Sequence, residues 1–543
     1  MDHSNIVLLT LAALVYLSAT VYLGIKAYLE THTATDFLVA GRKTHPLIMA
    51  LSYGSTFIST SAIVGFGGAA AAFGLSLLWL PFLNIFLGIA VAFLIFGKRV
   101  RPLSHNLGVH TFPELLGRRY QSRFIHAYSA LLIFLFMPLY AAAVLIGGAR
   151  FIEQSFHISY EVAVTIFSLV VAAYVIAGGL KGVMYTDAFQ GAIMLVGMGI
   201  LLVSVYAGLG GIVPAHQALT DLAPHIPEKL KAGGIVSWTA MPVFGSKLWY
   251  LVITTIVMGV GIGVLAQPQL AVRFMTVNSN RELNRGVGVG AFFIFMTAGI
   301  AYIVGALSNV YFMNKIGKVA IAAAPNGNID AIIPLFITMF MPDWFLIIFL
   351  LTLLSAAMST MSSQFHTIGT AIGRDLWEQT LRLSPAGHQR TVLVTRLGIV
   401  VALLITVVLA FILPGSIIAQ ATAVFFGLCG ATFLPAYVGA LFWHRMTRAG
   451  AIASMLVGSL VSLAWLTFVQ EKSAAGLGLC TLLFGKETLL GLPWSGMDAQ
   501  IIALPLSAIT AVVVSLVTRP PARFHLELCF HGIKTPRPNT RRA

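Results

Sequence analysis

The feature that most constrains this chain is the recurrence of apolar segments long enough to cross a lipid bilayer. A transmembrane helix needs about 20 mostly apolar residues, and about thirteen such segments recur in the 543 residues. Numbered as spans 0 to 12, they lie near 5–27, 46–74, 76–98, 126–152, 159–178, 184–208, 247–272, 286–314, 343–373, 391–413, 416–443, 449–469 and 498–518. With 58% hydrophobic and 9% charged residues, an ordinary soluble domain is excluded. The sequence predicts an all-α polytopic membrane protein.

The basic residues indicate how the chain is oriented in the membrane. With the N-terminus outside, eight of the 33 Lys and Arg residues fall outside and the other 25 inside, as the positive-inside rule requires. The net charge of +15 therefore reports topology, and no nucleic-acid partner is expected. We expect a multi-pass protein of the cell (inner) membrane with a cytoplasmic C-terminus and no obligate protein partner.

Span 8 carries an unusual concentration of hydroxyl groups between Leu354 and Gln364. A buried hydroxyl without a partner is costly in hydrocarbon, so such a cluster must bond the backbone, face another helix or line a polar cavity. Ala356, Ser359, Thr360 and Ser363 fall on one stripe of a helix. The stripe can hold a small cation; for a single hydroxyl, packing against the helix's own carbonyls is the commoner alternative.

Two spans are interrupted at corresponding positions. Span 1 contains the polar run 52–61, and span 6 contains a glycine-rich run ending in Gln267-Pro268-Gln269. Interrupted helices five spans apart predict an inverted-repeat transporter with its binding site at the breaks. Spans 1–5 and 6–10 show no residue-level similarity, so this repeat rests on the breaks and the topology alone.

These features divide the chain into six parts. They are an extra N-terminal helix with an inner loop (1–45), a first repeat of spans 1–5 (46–208), an outer loop (209–246), a second repeat of spans 6–10 (247–445), two peripheral helices (446–518) and a disordered cytoplasmic tail (519–543). The apolar, Pro-bounded stretch from Asn328 predicts a short helix over the outer mouth.

Asp187 is the carboxylate expected to lie inside span 5. A central acid costs about 2.5–3.5 kcal/mol on insertion scales, so a functional role is the default interpretation. The alternative is a cap at the start of the helix, because Lys181 is only about two turns away.

An enzyme is the least favoured class. No Ser/His/Asp, His/Glu metal or paired-carboxylate set falls at a common membrane depth. Cys429, Cys480 and Cys529 are far apart and predict neither a zinc site nor a disulfide framework. No cofactor is expected.

Four motifs occur along the chain. They are Gly178-Gly179 with Thr186-Asp187 and Gln190, Gln267-Pro268 with Arg273-Phe274, the Ala-x-x-Ser-Thr-x-Ser run of span 8, and the turn 443–451. Together they resemble the sodium/solute symporter (SSS) family, from about Asp36 to Gly458. The resemblance implies a LeuT-type core of 5+5 inverted repeats with broken helices 1 and 6, and uptake driven by a sodium gradient.

The resemblance also implies ligands for sodium. The main site would use the carbonyls of Ser55, Ile58 and Ala356 and the hydroxyls of Ser359 and Thr360. This agrees with the stripe in span 8, since hard cations prefer oxygen ligands.

Some family members bind a second sodium ion. The matching ligands here are Asp187, Ser359, Ser362 and Ser363. The residues therefore outline two sodium sites, without deciding whether both are used.

The substrate residues match known relatives less well. Positions that carry an aromatic pair and polar groups in sugar-transporting relatives are Ile262, Gly263, Ser61 and Ala62 here, which disfavours a sugar. Proline-transporting relatives have an Asp where this chain has Phe57.

We expect the substrate to lie beside Ser59, Thr60, Gly263 and Gln267, where helix N-termini at the breaks suit a carboxylate. The predicted function is sodium-coupled import of a small organic anion or amino acid by alternating access. The alternatives are a proton-coupled carrier of the same fold, with Asp187 as proton acceptor, and a membrane solute sensor.

Overall fold

The computed structural model describes residues 3–380, 388–414 and 416–533, and their regular structure is helical throughout. Eleven helices of the described residues are long and apolar enough to cross a bilayer: Val7–Ala27, Ser61–Asn106, Arg123–Phe156, Gly179–Gly208, Lys247–Ala266, Asn280–Ile316, Asp343–Thr380, Val392–Ile412, Ile418–Phe442, Arg448–Phe468 and Gln500–Val517. The all-α polytopic class is confirmed. Because Ser61–Asn106 has 46 residues, twice what one crossing needs, the count of thirteen spans stays a prediction.

The first repeat contains a broken first helix followed by long continuous ones. Its helical segments are Pro46–Phe57, Ser61–Gly65, Phe66–Phe73, Gly74–Leu78, Trp79–Leu83, Asn84–Gly97, Lys98–Asn106, Phe112–Arg119, Arg123–Phe156 and Tyr160–Gly208. Spans 4 and 5 meet at Gly179, whose φ of 57° and ψ of −176° interrupt the helix. Only glycine adopts this conformation readily, so Gly179 sets where span 5 begins.

The second repeat also begins with a broken helix. Its segments are Lys247–Tyr250, Leu251–Gly259, Val260–Gly263, Val264–Ala266, Pro268–Ala271, Val272–Met275, Asn280–Ile294, Phe295–Gly299, Ile300–Ile316, Asp343–Thr370, Ala371–Thr380, His388–Ile412 and Ile418–Phe442. Outside the repeats lie the N-terminal helix His3–Leu29 and the peripheral helices Arg448–Phe468 and Gln500–Val517.

Two outer loops are folded onto the bundle. The loop after span 5 contains the helices Ile212–Asp221 and Glu228–Ala232, and its Trp238 is fully buried with Nε1 2.9 Å from the carbonyl of Ala71. The short apolar helix Ile332–Phe340 begins beside Asp330, which accepts a hydrogen bond from the backbone N–H of Ile417 at 3.0 Å. Ordered segments therefore cover the ends of spans 1 and 10 that lie beside these two loops.

The expectation of a disordered tail is wrong for residues 519–533. Arg523–Cys529 forms a helix, and Asn106 donates to the carbonyls of Cys529 (3.1 Å) and His531 (2.8 Å). Cys529 and Phe530 are buried, so apolar contacts hold a segment whose overall composition is polar. Residues 534–543 lie outside the described part.

Candidate functional site

The break in span 1 is produced by its polar run. The first half, Pro46–Phe57, ends at Ile58, whose φ of −90° and ψ of 98° are extended. Ser59 Oγ then accepts the backbone N–H of Ser61 at 3.1 Å and so caps the second half of the span. The N-terminus of that second half is thereby held inside the protein.

The break in span 6 has a different cause. Gln267 is extended, with a φ of −75° and a ψ of 117°, and the helix resumes at Pro268. Proline disfavours a helical conformation for the residue before it and suits the first turn of the next helix. Both breaks are therefore encoded locally, and each frees backbone groups in mid-membrane.

Four of the five expected ligands of the main sodium site come together between span 1 and span 8. The hydroxyl of Ser359 donates to the carbonyl of Ser55 at 2.9 Å and lies 3.3 Å from the carbonyl of Ala356. The hydroxyl of Thr360 lies 3.3 Å from the same Ser55 carbonyl. All four residues are buried, and the fifth, Ile58, is buried in the extended break.

In this arrangement, oxygen atoms of span 1 and span 8 contact one another. Carbonyl oxygens from a broken helix and hydroxyls from a continuous one are the ligands that a hard cation accepts. Because the oxygens come from both helices, any cation bound there would draw span 1 and span 8 together. The predicted stripe thus lies at the contact between span 8 and the broken span 1.

The carboxylate of Asp187 points to the bundle interior and not to the start of its own helix. It is fully buried, eight residues after the interruption at Gly179. Its Oδ2 accepts from Ser52 at 2.8 Å and from Thr56 at 3.1 Å, both on span 1. The capping alternative does not describe this geometry, because the bonds link span 5 to span 1.

The hydroxyls expected to share a second sodium with Asp187 lie at the limit of hydrogen-bonding distance from its carboxylate. Ser362 and Ser363 each lie 3.4 Å from a carboxylate oxygen of Asp187. The hydroxyl of Ser359, assigned to both sites, is bonded toward span 1 and its own helix. The residues are neighbours, as expected, but another side chain is closer to the carboxylate.

That side chain is Arg273, which the motif contained but to which no role was given. Its Nη2 lies 2.9 Å from Asp187 Oδ2 and 2.5 Å from Ser363 Oγ, and it also bonds Thr56. Its Nε donates to Ser52 at 3.1 Å. The positive-inside count treats Arg273 as an inner-face charge, yet the side chain is 1% exposed. The sequence did contain a signal for this role, because Arg273 follows the break in span 6 by only six residues.

The expected substrate residues are only partly brought together. Gln267 donates to the carbonyl of Gly263 at 3.3 Å. Both residues are buried beside span 10. Ser59 lies 3.5 Å from the hydroxyl of Tyr140 on span 3. The hydroxyl of Thr60 instead donates to the carbonyl of Val144 at 2.6 Å, so it fixes span 1 to span 3.

Aromatic rings surround this region, and apart from Phe57 the sequence did not single them out. Tyr140 stacks on Phe425 at 5.6 Å and meets Phe426 edge-on at 5.3 Å. Phe57, at the end of the first half of span 1, lies 6.0 Å from Phe426. The rings come from three spans far apart in sequence, which is why no local pattern reveals them. We call Phe57, Tyr140, Phe425 and Phe426 the aromatic cage.

The C-terminal end of span 8 contacts the start of the helix Phe112–Arg119. The carboxylate of Asp375 accepts from Thr111 at 2.8 Å and lies 2.7 Å from Nε2 of His126. All three residues are buried. The contact joins span 3, span 8 and the inner loop between spans 2 and 3.

A second inner cluster surrounds the buried Glu114. Arg118 lies 2.7 Å and Arg374 3.5 Å from its carboxylate. Burial raises the pKa of Glu114, but Arg374, the backbone N–H of His110 and Arg118 outweigh it and hold that pKa below its ordinary value. Burial, and after it the charge of Arg374, lowers the pKa of His110 to about 4. His110 is therefore neutral near pH 7.

Known proteins match this sequence over most of its length. Residues 37–458 match the sodium:solute symporter family. The chain belongs to this family. The osmoregulated proline transporter OpuE of Bacillus subtilis is 27% identical over 512 residues, 94% of each chain. The sodium/proline symporter of Salmonella typhimurium is 29% identical over 454 residues, 83% of this chain and 86% of the relative. The sodium/pantothenate symporter of Haemophilus influenzae is 28% identical over 455 residues, 82% and 88%.

The fold of the symporter also has a solved counterpart. The structure of a Na⁺-coupled sialic acid symporter matches with a TM-score of 0.73 at 19% identity, covering 94% of this chain and 98% of the other. The likeness confirms the expected LeuT-type fold. The symporter is thus a multi-pass membrane protein that imports a small organic solute with sodium as coupling ion, and its family consists of transporters, not enzymes.

Proposed function

We propose that the symporter imports a small carboxylate, an amino acid or organic anion with a compact apolar body, together with one sodium ion. The observation that carries this proposal is the meeting of Ser55 with Ser359 and Thr360, in which a broken helix and a continuous helix share an oxygen cluster. The substrate class and the sodium count rest on the surroundings of that cluster.

The sodium ion is proposed to bind the carbonyls of Ser55, Ile58 and Ala356 and the hydroxyls of Ser359 and Thr360. Support comes from their burial and from the four groups that already converge. On binding, the ion would replace hydrogen bonds between spans 1 and 8 by shorter, charge-based contacts. Sodium thereby favours the conformation in which these spans are close.

The substrate is proposed to bind between the aromatic cage and the two breaks. Rings of Phe57, Tyr140 and Phe426 suit an apolar body, and the amide of Gln267 and hydroxyl of Ser59 suit polar ends. The helix that restarts at Ser61 presents its N-terminus there, which favours a carboxylate. Relatives named for proline and pantothenate, both carboxylates, agree with this class.

A single sodium ion is proposed because Arg273 already neutralises Asp187. The guanidinium, 2.9 Å from the carboxylate, takes the position where a second sodium would bind. Two unit positive charges about 4 Å apart repel by about 4 kcal/mol at an effective dielectric constant near 20. A second ion beside Asp187, Ser362 and Ser363 is therefore opposed as long as Arg273 stays in place.

Coupling follows from the shared position of span 1. Sodium fixes this span against span 8, and the substrate binds the break of the same span, so each ligand tightens the other by the same factor. A membrane potential contributes about 2.3 kcal/mol per charge per 100 mV to inward sodium movement. One ion per cycle is sufficient to drive accumulation of the solute.

The test is solute uptake into proteoliposomes, measured with and without an inward sodium gradient. Labelled proline, pantothenate, short monocarboxylates and other amino acids form the panel, and glucose serves as the disfavoured solute. We expect sodium-dependent accumulation of at least one carboxylate, with one positive charge moved per zwitterion. Accumulation that follows a pH gradient and ignores sodium would instead establish the proton-coupled alternative.

The orientation of the termini is also proposed, with the N-terminus outside and the C-terminus in the cytoplasm. The positive-inside count supports it, and leaving out the buried Arg273 still gives 24 basic residues on the inner side against eight outside. A Cys introduced at His3 can be labelled from outside by an impermeant thiol reagent, with little background because the three native cysteines are buried. Labelling only after the membrane is permeabilised would contradict the orientation.

A further inference from the structure

The connection between the last two spans carries a dense run of apolar residues that belongs to neither span. It contains the short helices Glu471–Leu477 and Leu479–Phe484, and we call residues 471–494 the apolar hairpin. Nine of its large apolar side chains are between 41% and 78% exposed: Leu477, Leu479, Leu482, Leu483, Phe484, Leu489, Leu490, Leu492 and Trp494. Water is an unfavourable surrounding for so much apolar surface, and patches of this extent mark a region that something else covers.

The apolar hairpin is also unsuited to the middle of the bilayer. Its longer helix has seven residues and a length of about 10 Å, a third of the hydrocarbon thickness of about 30 Å. Residues 485–494 are mostly irregular and include the exposed, charged Lys486 and Glu487. Irregular backbone in contact with lipid does not occur in the hydrocarbon region. The boundary between hydrocarbon and water satisfies both the apolar side chains and the exposed backbone.

Contacts with one residue fix the level of the hairpin relative to the spans. Phe468 is the last residue of the helix Arg448–Phe468, which forms span 11. Its carbonyl accepts the backbone N–H of Leu489 at 2.8 Å and lies 3.8 Å from the thiol sulfur of Cys480. Its ring meets that of Phe484 edge-on at 5.9 Å. Both legs of the hairpin therefore lie beside the end of an apolar span, where the hydrocarbon ends.

Aromatic side chains with a polar atom collect at the same level. Trp494 lies 6.2 Å from Trp465 of span 11, and Trp249 lies 5.2 Å from Tyr250 at the start of span 6. Gly496 brings the two groups together, because a Cβ there would lie 3.3 Å from that of Tyr250. Trp and Tyr are enriched at membrane–water interfaces, where one part of the ring system is apolar and one part is solvated. The rings thus mark the membrane surface beside the hairpin.

The base of the hairpin is fastened to the first half of span 6. Glu471 forms an ion pair of 2.6 Å with Lys247, the first residue of that helix. The amide of Gln470 donates to the hydroxyl of Thr255 at 3.4 Å. The second half of the same span begins after the break at Gln267. The hairpin therefore connects the membrane surface to one of the two broken helices.

We propose that the apolar hairpin lies in the boundary between headgroups and acyl chains of the adjacent leaflet, and that its partner is the lipid surface. Its exposed face continues the lipid-facing surface of the flanking spans, to which Leu460 and Leu506 contribute. Leu482 and Leu483 point into the acyl chains, and Lys486 reaches the headgroups. The hairpin carries two acids and two bases, so apolar contact and not attraction to anionic lipid holds it there.

Spin labels on introduced cysteines test this placement in the full chain, reconstituted into phosphatidylcholine vesicles with and without phosphatidylglycerol. We expect a label at Leu482→Cys to collide severalfold more often with oxygen, which concentrates in lipid, than with a water-soluble nickel chelate. Leu460→Cys in span 11 is the lipid control and Glu228→Cys, 89% exposed in the loop before span 6, is the water control. The native cysteines are buried, so the wild-type protein gives the background. The ratio should be the same in both kinds of vesicle.

Leu492→Cys, on the other leg of the hairpin, repeats the measurement at a position where a label disturbs neither short helix. Two labels that behave like Glu228→Cys would place the hairpin in water and overturn the proposal. Spin–spin broadening at Leu482→Cys that disappears on dilution with unlabelled protein would show a second copy covering the face, which overturns it as well. A hairpin that binds only vesicles with phosphatidylglycerol would contradict the apolar mode of contact. None of these outcomes changes the sodium dependence of uptake, so the proposed function is tested separately.

Discussion

The guanidinium of Arg273 and the carboxylate of Asp187 form a buried ion pair of 2.9 Å in the middle of the bundle. Arg273 follows the break in span 6 and Asp187 lies in span 5, so the pair connects these two spans. The neighbours of the pair, Ser52 and Thr56, belong to span 1. Removing one member of such a pair leaves an uncompensated charge and costs about 3–5 kcal/mol, whereas removing both is far less costly. This asymmetry gives the first prediction.

Asp187→Asn and Arg273→Gln should each lower the melting temperature of the purified symporter more than the double variant does. The physical reason is the single charge that either change leaves buried. Thermal unfolding in detergent measures all three. A double variant whose destabilisation equals the sum of the two single ones would show that the residues do not act as a pair.

Ser359→Ala and Thr360→Ala should raise the sodium concentration needed for uptake. Each removes one proposed oxygen ligand, and an interaction with a charged group is worth about 1.5–3 kcal/mol, or roughly 10- to 150-fold in affinity. Sodium titration of initial uptake rates is the measurement. Thr352→Ala on the same helix is the control, since its hydroxyl bonds the carbonyl of Ile348. Unchanged sodium dependence in both variants would refute the site.

Gly263→Ala should abolish or strongly slow transport. A Cβ at this position would lie 2.2 Å from the carbonyl oxygen of Phe426, so span 6 could not keep its contact with span 10. Gly288→Ala is the matched control, because a Cβ there meets nothing within 4 Å. The measurement is the uptake rate of each variant, compared at equal expression in the membrane. A wild-type rate for Gly263→Ala would mean that spans 6 and 10 need not be in contact.

Stability should fall as the pH is lowered from about 6.5 to about 4, and His110 should account for part of that loss. The pKa of His110 is about 4 in the folded protein and near 6.5 in an unfolded chain. Between these values the unfolded state takes up a proton that the folded state does not, so the equilibrium shifts toward unfolding.

His110→Gln should make the melting temperature depend less steeply on pH within this window. A His110→Gln variant with the wild-type pH profile would show that this side chain is not kept neutral by its surroundings.

The sequence by itself determined the membrane class, the helical fold and the hydroxyl stripe of span 8. Span length follows from bilayer thickness, and a stripe of hydroxyls follows from helical periodicity, so both can be read locally. Ser55, Ala356, Ser359 and Thr360 indeed converge. The breaks of spans 1 and 6 were likewise visible, because their polar residues, glycines and proline act on the neighbouring backbone.

Tertiary structure alone decided which charges and rings complete the site. Arg273 read as an inner-face charge until packing placed it against Asp187, and Tyr140 and Phe426 read as ordinary apolar residues until three spans brought them together. The inner contact of Asn106 with the tail was invisible for the same reason. Contacts between residues separated by tens to hundreds of positions depend on how the helices pack, and no local periodicity carries that information.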